Sequence, residues 1–298
     1  MLDYLVSILL TAGIYAVFAL GLNLQWGYAG LLNFGHVAFM AIGAYTTILL
    51  SMNGVPLIFA VLAGMILAGA SGAFLGVATL RLREDYLAIV TIGFSEIIRF
   101  VLLNWSSLTR GSFGIYGYPR PFEGLVGYEN YNLFLSGIVI AVLVLVYAFL
   151  EILARSPWGR VLKSIRDDEA VSVSLGKNAF SYKVQALAIG SAIAALAGSL
   201  LAFYLQYINP NNFQPIETFY AWIMVLMGGS GSNRGTIVGA LLLWGFFSTT
   251  RFLEGYISFS PSASSAARMV IIGIILIGLM MFRPQGLFGR KEELAIGK

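Results

Sequence analysis

Long apolar segments recur along the whole chain and restrict it to one class of fold. Segments of about 20 apolar residues are long enough to cross the hydrocarbon core of a bilayer as helices. Of the 298 residues 58% are hydrophobic and only 11% are charged, whereas a soluble domain carries about 25% charged residues. The sequence therefore predicts an all-α integral membrane protein in which residues 1–298 form a single polytopic membrane domain.

The apolar segments predict about nine transmembrane helices, within a range of eight to ten. They lie near residues 4–26, 34–51, 55–79, 86–104, 133–153, 184–205, 216–230, 235–253 and 267–282. Several of them are short or interrupted by glycine, which predicts broken helices.

The distribution of basic residues predicts the orientation of these helices. Lysine and arginine concentrate in loops on the cytoplasmic side of membrane proteins. With nine spans, most of the 18 basic residues fall on one side, in the turn 80–85, the loop 154–183, Arg234 and the C-terminal tail. The N-terminus is therefore expected outside and the C-terminus inside, with a periplasmic loop at 105–132 and a cytoplasmic loop at 154–183.

Several functions are excluded by residue types that the chain lacks. It has no cysteine and one histidine, which argues against thiolate and histidine metal sites. The phosphate-binding pattern G-x-x-x-x-G-K-[S/T] is absent, so ATP binding by this chain is not expected. One histidine and scattered acidic residues do not supply the nucleophile, base and orienting group of a catalytic site. The net charge of +4 is explained by basic residues in cytoplasmic loops and does not indicate nucleic-acid binding. We expect no enzyme activity, no cofactor, no metal and no nucleic acid.

The loop 154–183 predicts two short amphipathic helices. Pro157 suits the first turn of a helix. Asp167, Asp168 and Glu169 then precede the segment 170–175, and Gly176 follows it, as acidic N-termini and glycine C-caps require. Such helices either lie on lipid or pack into the groove of a partner, and their mixed charges favour a partner.

Three segments resemble the permease subunits of ABC importers of the branched-chain amino-acid type. GRVLKSIRDDEAVSVSLGKNAFSYKVQALAIGSAIAALAGSLLA (159–202) is similar to their cytoplasmic coupling region. LRLREDYLAIVTIGFSEIIRFVLLNWSSLTRGSFGI (80–115) and FRPQGLFGR (282–290) are similar to the LivM kind of subunit. The resemblance extends over nearly the whole chain, in the order of the family.

This resemblance implies a half-channel in the bacterial plasma (inner) membrane. A second, LivH-like permease, two cytoplasmic ATP-binding subunits and a periplasmic substrate-binding protein are the implied partners, with branched-chain, hydrophobic or neutral amino acids as substrates. Urea or short-chain amides are the alternative substrates, because urea importers use similar subunits. A stand-alone secondary transporter or channel is the alternative from a different class.

The resemblance also implies which residues couple the permease to the ATPases. The coupling helix of such importers sits in a cleft of the ATPase, and Glu169, Ala170 and Gly176 match it. The candidate coupling residues are Arg160, Arg166, Asp167, Asp168, Glu169, Ala170, Leu175 and Gly176.

Polar residues in two glycine-rich apolar segments are candidates for the translocation path. Gln25, Asn33 and His36 lie in or beside the uncharged run 27–45, and a matching segment in the second half contains Gly228, Gly229 and Gly231. Non-helical backbone at membrane depth is tolerated where it is buried in protein or lines a cavity. These groups either line the path or satisfy the backbone of a broken helix, and both interpretations stay open.

Glu96 and Arg99 lie three residues apart in the predicted span 86–104, which places them close enough to pair. Charged groups at membrane depth mark either function or a buried pair. A neutralised pair that holds helices together is favoured over direct substrate contact.

Overall fold

The computed structural model describes residues 2–80, 84–122, 127, 130–253 and 285–289, together with residues 266, 270, 271, 273, 274, 277, 278, 281 and 282. Half of the expected span near 267–282 therefore lies outside the described residues, as does most of the C-terminal tail.

The described chain is almost entirely helical. Its helices are α1 (Leu2–Asn23), which continues as a π-helical turn (Leu24–Tyr28), α2 (Val37–Met52), α3 (Leu57–Thr79), α4 (Glu84–Asn104), α5 (Ser106–Thr109), α6 (Tyr131–Arg155), α7 (Pro157–Asp167), α8 (Glu169–Ser174), α9 (Ala179–Leu205), α10 (Pro215–Gly228) and α11 (Asn233–Leu253). Two 3₁₀ turns (Gly111–Phe113 and Pro210–Phe213) and two short strands, β1 (Ile115–Tyr116) and β2 (Tyr207–Ile208), complete the described elements.

Five of these helices are long and apolar enough to cross a membrane. They are Tyr4–Tyr28, Leu57–Thr79, Tyr86–Asn104, Tyr131–Arg155 and Ala179–Leu205, and two shorter apolar helices, α2 and α10, accompany them. The all-α membrane class predicted from the sequence is confirmed. The count of nine spans and the orientation stay predictions.

Helices α1 and α9 form the centre of the bundle. About three quarters of each apolar window is buried, whereas less than a third of the windows of α3, α4 and α6 is buried. Their outward faces are apolar, with Ile66, Ile89 and Leu145 among the most exposed side chains. Lipid-facing residues in a membrane have this character, since lipid is as apolar as leucine.

Small residues allow the central helices to approach closely. A Cβ atom on Gly198 of α9 would overlap the carbonyl oxygen of Met40 in α2, and one on Gly43 would overlap Ala195. Without a hydrophobic force between helices in lipid, such close backbone contact is a main source of packing energy.

Helices α2 and α10 are too short to cross the bilayer alone. They contain 16 and 14 residues, which at 1.5 Å per residue is about 24 and 21 Å, against about 30 Å of hydrocarbon. Their first turns meet inside the bundle, where the Val37 N–H donates to Thr218 Oγ1 over 3.0 Å. The N-terminal turns of both helices therefore lie against each other in the interior of the bundle.

The described part of the loop 105–132 is ordered against the C-terminal end of α9. Strand β1 pairs with β2 in antiparallel register, with Ile115 opposite Ile208. The Tyr118 hydroxyl donates to the carbonyl oxygen of Ala202 over 2.7 Å. Burial raises the pKa of the Tyr118 phenol, so it stays protonated and keeps donating this hydrogen bond.

Candidate translocation and coupling site

The first helix break covers residues 24–36, from the π-helical turn to the start of α2. Side chains satisfy backbone donors that the break removes from helical pairing. Asn33 Oδ1 accepts from the Gly35 N–H over 2.9 Å, and Thr91 Oγ1 of α4 accepts from the Phe34 N–H over 3.1 Å. Buried backbone groups need such partners, so these side chains stabilise the non-helical conformation of the break.

Two of the predicted path residues, Gln25 and Asn33, are fully buried and bonded to each other. The Asn33 amide donates to Gln25 Oε1 over 2.8 Å. Gln25 Nε2 donates to the carbonyl oxygen of Leu187 in α9 over 3.1 Å, and the Trp222 indole of α10 donates to the Asn33 carbonyl. These contacts fix α9 and α10 to the break, so both residues have the structural function that was one of the two interpretations. Their contact with a transported solute stays a prediction.

The third predicted path residue, His36, precedes α2 and is also fully buried. Its Nε2 lies 3.2 Å from the Phe18 carbonyl oxygen of α1. Its ring lies 4.8 Å from that of Phe18 and 6.2 Å from that of Phe39. Nδ1 has no hydrogen-bond partner among the described residues.

The second helix break covers residues 229–232, between α10 and α11. Gly229 and Gly231 have φ angles of 108° and 75°, which side chains other than glycine rarely adopt. Gly228, before the break, packs against Gly235 so closely that a Cβ atom would overlap its carbonyl group. The glycine string is therefore required by the backbone.

Asn23 joins the two helix breaks. Its Oδ1 accepts from the Gly231 N–H over 2.9 Å, and its Nδ2 donates to Asn233 Oδ1 over 3.1 Å. Gly27 lies so close that a Cβ atom there would overlap the Gly231 backbone. The predicted pair of breaks is brought into contact through Asn23 and Asn233, which are not among the site residues predicted from the sequence. The sequence feature that could have indicated them is an amide side chain close to glycine within an apolar segment.

The coupling loop, residues 154–183, contains the two short helices expected there. Ser156 caps α7, with its hydroxyl accepting from the Gly159 N–H over 3.3 Å. Asp168 caps α8, with Oδ1 accepting from the Val171 N–H over 3.0 Å. Lys183 of α9 pairs with Glu169 over 2.6 Å, which holds α8 against the base of α9.

Helix α7 is attached directly to the first helix break. The Arg166 guanidinium donates to the Gly27 carbonyl oxygen and to Asp167 Oδ1 over 3.0 Å. The Lys163 ammonium lies 5.1 Å from the centre of the Tyr28 ring. A displacement of α7 would therefore be transmitted to the π-helical turn at the end of α1.

The other candidate coupling residues lie on the surface. Arg160 is exposed and donates to the Arg155 carbonyl oxygen over 3.0 Å, away from the break. Leu175, with 72% of its surface accessible, stands beside the exposed valines of α8. Ala170 and Gly176 are exposed as well, so α8 presents an apolar surface away from the bundle.

The two charged residues of α4 form a close ion pair. Arg99 Nη2 lies 2.7 Å from Glu96 Oε2, and Arg99 Nε donates to both carboxylate oxygens. The outermost face of α4 carries Ile89 and Ile97, whereas the side chains of Arg99 and Glu96 are only 18% and 29% exposed. The pair lies on the flank of the helix, where the charges neutralise each other.

Comparison with known proteins gives a family match over most of the chain. The family described as "Branched-chain amino acid transport system / permease component" matches residues 4–280. The LivM permease protein of Escherichia coli (strain K12) is 33% identical, over 92% of this chain and 67% of that protein.

Two more distant relatives match this chain over most of their own length. A probable LivM permease of Methanocaldococcus jannaschii is 29% identical, over 97% of this chain and 94% of that protein. The LivH permease protein of E. coli (strain K12) is 27% identical, over 93% and 92%. No solved structure matches the chain. This multi-pass membrane protein belongs to the family of permease components of branched-chain amino acid transport systems.

Proposed function

We propose that this chain is one of two permease subunits of an ATP-driven ABC importer and forms half of its translocation path. Branched-chain amino acids, or other hydrophobic or neutral ones, are the proposed substrates. The partners are a LivH-like permease, two cytoplasmic subunits that bind and hydrolyse ATP, and a periplasmic binding protein. Support comes from the relatives, whose names describe branched-chain amino acid transport permeases.

The proposed topology has nine spans, with the N-terminus outside and the C-terminus inside. The basic coupling loop and the ordered loop 105–132 lie at opposite ends of α9, because β2 follows its C-terminus and α8 packs at its start. The excess of basic residues at the coupling-loop end supports placing that end in the cytoplasm. The binding protein would then meet the ordered loop.

The contact between Arg166 and Gly27 is the observation that carries the proposal. It joins a surface loop to a break in a central helix, which a protein that only anchors in the membrane would not need. In the proposed mechanism the exposed face of α8 docks on an ATPase, and ATP-driven closure of the ATPases moves α7 through its covalent link to α8. Arg166 passes this displacement to the first helix break.

The second break would respond because Asn23 bonds to Gly231. Discontinuous helices are the elements that transporters rearrange around their substrates. Two packed arrangements of the breaks would open the path to one side or the other, which is alternating access.

Replacement of Gln25, Asn33 and His36 by alanine tests whether the first break serves the path. We expect uptake to fall while the complex with the ATPases still assembles. Normal uptake by the triple variant would restrict these three residues to a structural function.

Co-purification tests the proposed assembly. Tagged chain extracted in mild detergent should retain the ATPase subunits. Leu175→Ser should reduce the retained amount, because it removes a highly exposed apolar side chain directly after α8. Ile66→Ser is a matched control, since Ile66 is equally exposed but lies on lipid-facing α3. Wild-type chain recovered without any ATPase would support a stand-alone transporter or channel and contradict the proposal.

A further inference from the structure

A cavity of about 500 Å³ lies at the coupling-loop end of the bundle, between α6, α7 and the start of α11. Among the described residues its wall contains four charged ones, Glu151, Arg155, Lys163 and Arg234, together with part of the second helix break. The proposed transport mechanism uses none of the three cations as a docking group for the ATPase. We call this space the basic cavity.

The charges of the basic cavity do not cancel. Arg155 pairs with Glu151 over 2.7 Å, which leaves Lys163 and Arg234. Lys163 packs over the Tyr28 ring, and Arg234 Nε donates to the Tyr147 hydroxyl over 2.9 Å. Among the described residues neither cation forms an ion pair with a carboxylate, so the cavity carries an excess of positive charge.

The start of α11 adds to this positive charge. Asn233 and Arg234 are its first residues and both line the cavity. The N-terminus of a helix carries a partial positive charge that favours anions. Two cations and one helix terminus therefore converge on one space.

An apolar stripe leads from the cavity along the outside of α6. Val144 lies three residues before Tyr147 and seven before Glu151, so it shares their helix face. Val144 is 57% exposed and its neighbour Leu145 is 68% exposed. A ligand with an anionic group and long apolar chains matches a basic cavity that continues into such a stripe.

We propose that the basic cavity binds a phosphate group. The apolar stripe favours the headgroup of an anionic phospholipid from the adjacent leaflet, with its acyl chains along α6, and free inorganic phosphate is the other source of the same chemistry. Basic pockets between transmembrane helices bind anionic headgroups in this way. The inference is independent of the transported substrate and of the ATPases.

Lipid retention tests the proposal. The complex that contains this chain is purified from nanodiscs of phosphatidylglycerol and phosphatidylcholine, and native mass spectrometry counts the retained lipids. Lys163→Gln/Arg234→Gln removes two charges while the Glu151–Arg155 pair stays intact. Arg160→Gln/Lys177→Gln is the control, because it removes the same charge from the same side of the chain but outside the cavity.

We expect the wild type and the control to retain phosphatidylglycerol in preference to phosphatidylcholine. The cavity variant should hold it about 30-fold more weakly, as two basic residues near an anionic membrane surface imply. In a second arm, inorganic phosphate is titrated into lipid-depleted complex. Phosphate binding that the cavity variant loses, without retention of phosphatidylglycerol, would identify the free anion as the ligand. Equal losses in both double variants, or no binding in either arm, would overturn the proposal.

Discussion

Removing the Arg166 guanidinium breaks the contact between the coupling loop and the first helix break. In Arg166→Gln the shorter neutral side chain cannot reach the Gly27 carbonyl and Asp167 together. A hydrogen bond to a charged group contributes about 1.5–3 kcal/mol, and the Gly27 carbonyl oxygen loses this partner. A change of about 2 kcal/mol shifts the balance between attached and detached arrangements of α7 by about 30-fold.

The expected phenotype is uncoupling. ATP hydrolysis by the assembled complex should continue, whereas uptake of labelled leucine per ATP hydrolysed should fall by at least about ten-fold. Both quantities are measured on the same proteoliposomes, loaded with the complex and supplied with binding protein. Arg166→Lys should recover only part of the ratio, since an ammonium lacks the planar fork of donors that guanidinium offers.

Lys177→Gln serves as the matched control. Lys177 lies in the same loop and is exposed, and its substitution removes the same charge. An unchanged ratio of uptake to ATP hydrolysis in Arg166→Gln would refute the coupling function of this contact. An equal loss in Lys177→Gln would show that loop charge matters rather than the contact.

Three further changes test the packing of the bundle. Asn23→Ala leaves the Gly231 N–H unpaired and should destabilise the protein by about 1–2 kcal/mol, measured as a lower midpoint of thermal unfolding in detergent; an unchanged midpoint would contradict it. Gly198→Ala should cost about 1–3 kcal/mol and reduce the monodisperse fraction in size-exclusion chromatography, whereas Gly137→Ala should not, because a Cβ atom there meets nothing within 4 Å. Glu96→Gln should reduce folded yield by leaving a cation unpaired at membrane depth, and a further Arg99→Gln should restore both yield and uptake; restored yield without uptake would point to substrate contact.

Local signals in the sequence were sufficient to predict the two short helices of the coupling loop. Pro157, Asp168 and Gly176 each act within one helical turn, through a fixed φ angle, a side-chain cap and a left-handed C-terminal position. Such rules depend on neighbours in the sequence alone. The boundaries of α7 and α8 were therefore predictable, although the side of α7 that meets the bundle was not.

The contacts that the helix breaks make with other helices could not be predicted from the sequence. The uncharged glycine-rich segment after residue 26 predicted a break, but the partner of Asn23 lies more than 200 positions away at Gly231. Long-range pairing of this kind depends on how helices pack, and propensity carries no information about it. The β1–β2 pairing was missed for the same reason, since two-residue strands leave no periodic pattern.

Arg166 shows which properties of a residue the sequence predicts and which only the folded structure reveals. The resemblance and the charge pattern placed Arg166 in the coupling region, and the capping signals located the end of its helix. Only the packed structure shows that its guanidinium reaches Gly27. The description of the residue changes accordingly, from a surface charge to a contact between the loop and the first helix break.

Uptake by the reconstituted system tests the central claim most directly. The chain is assembled in proteoliposomes with its partner permease and ATPase subunits, and labelled leucine, alanine and urea are offered with the binding protein. The account predicts that leucine accumulates only when ATP and the ATPase subunits are present. Uptake of urea without leucine, or accumulation of leucine in the absence of the ATPases, would contradict it.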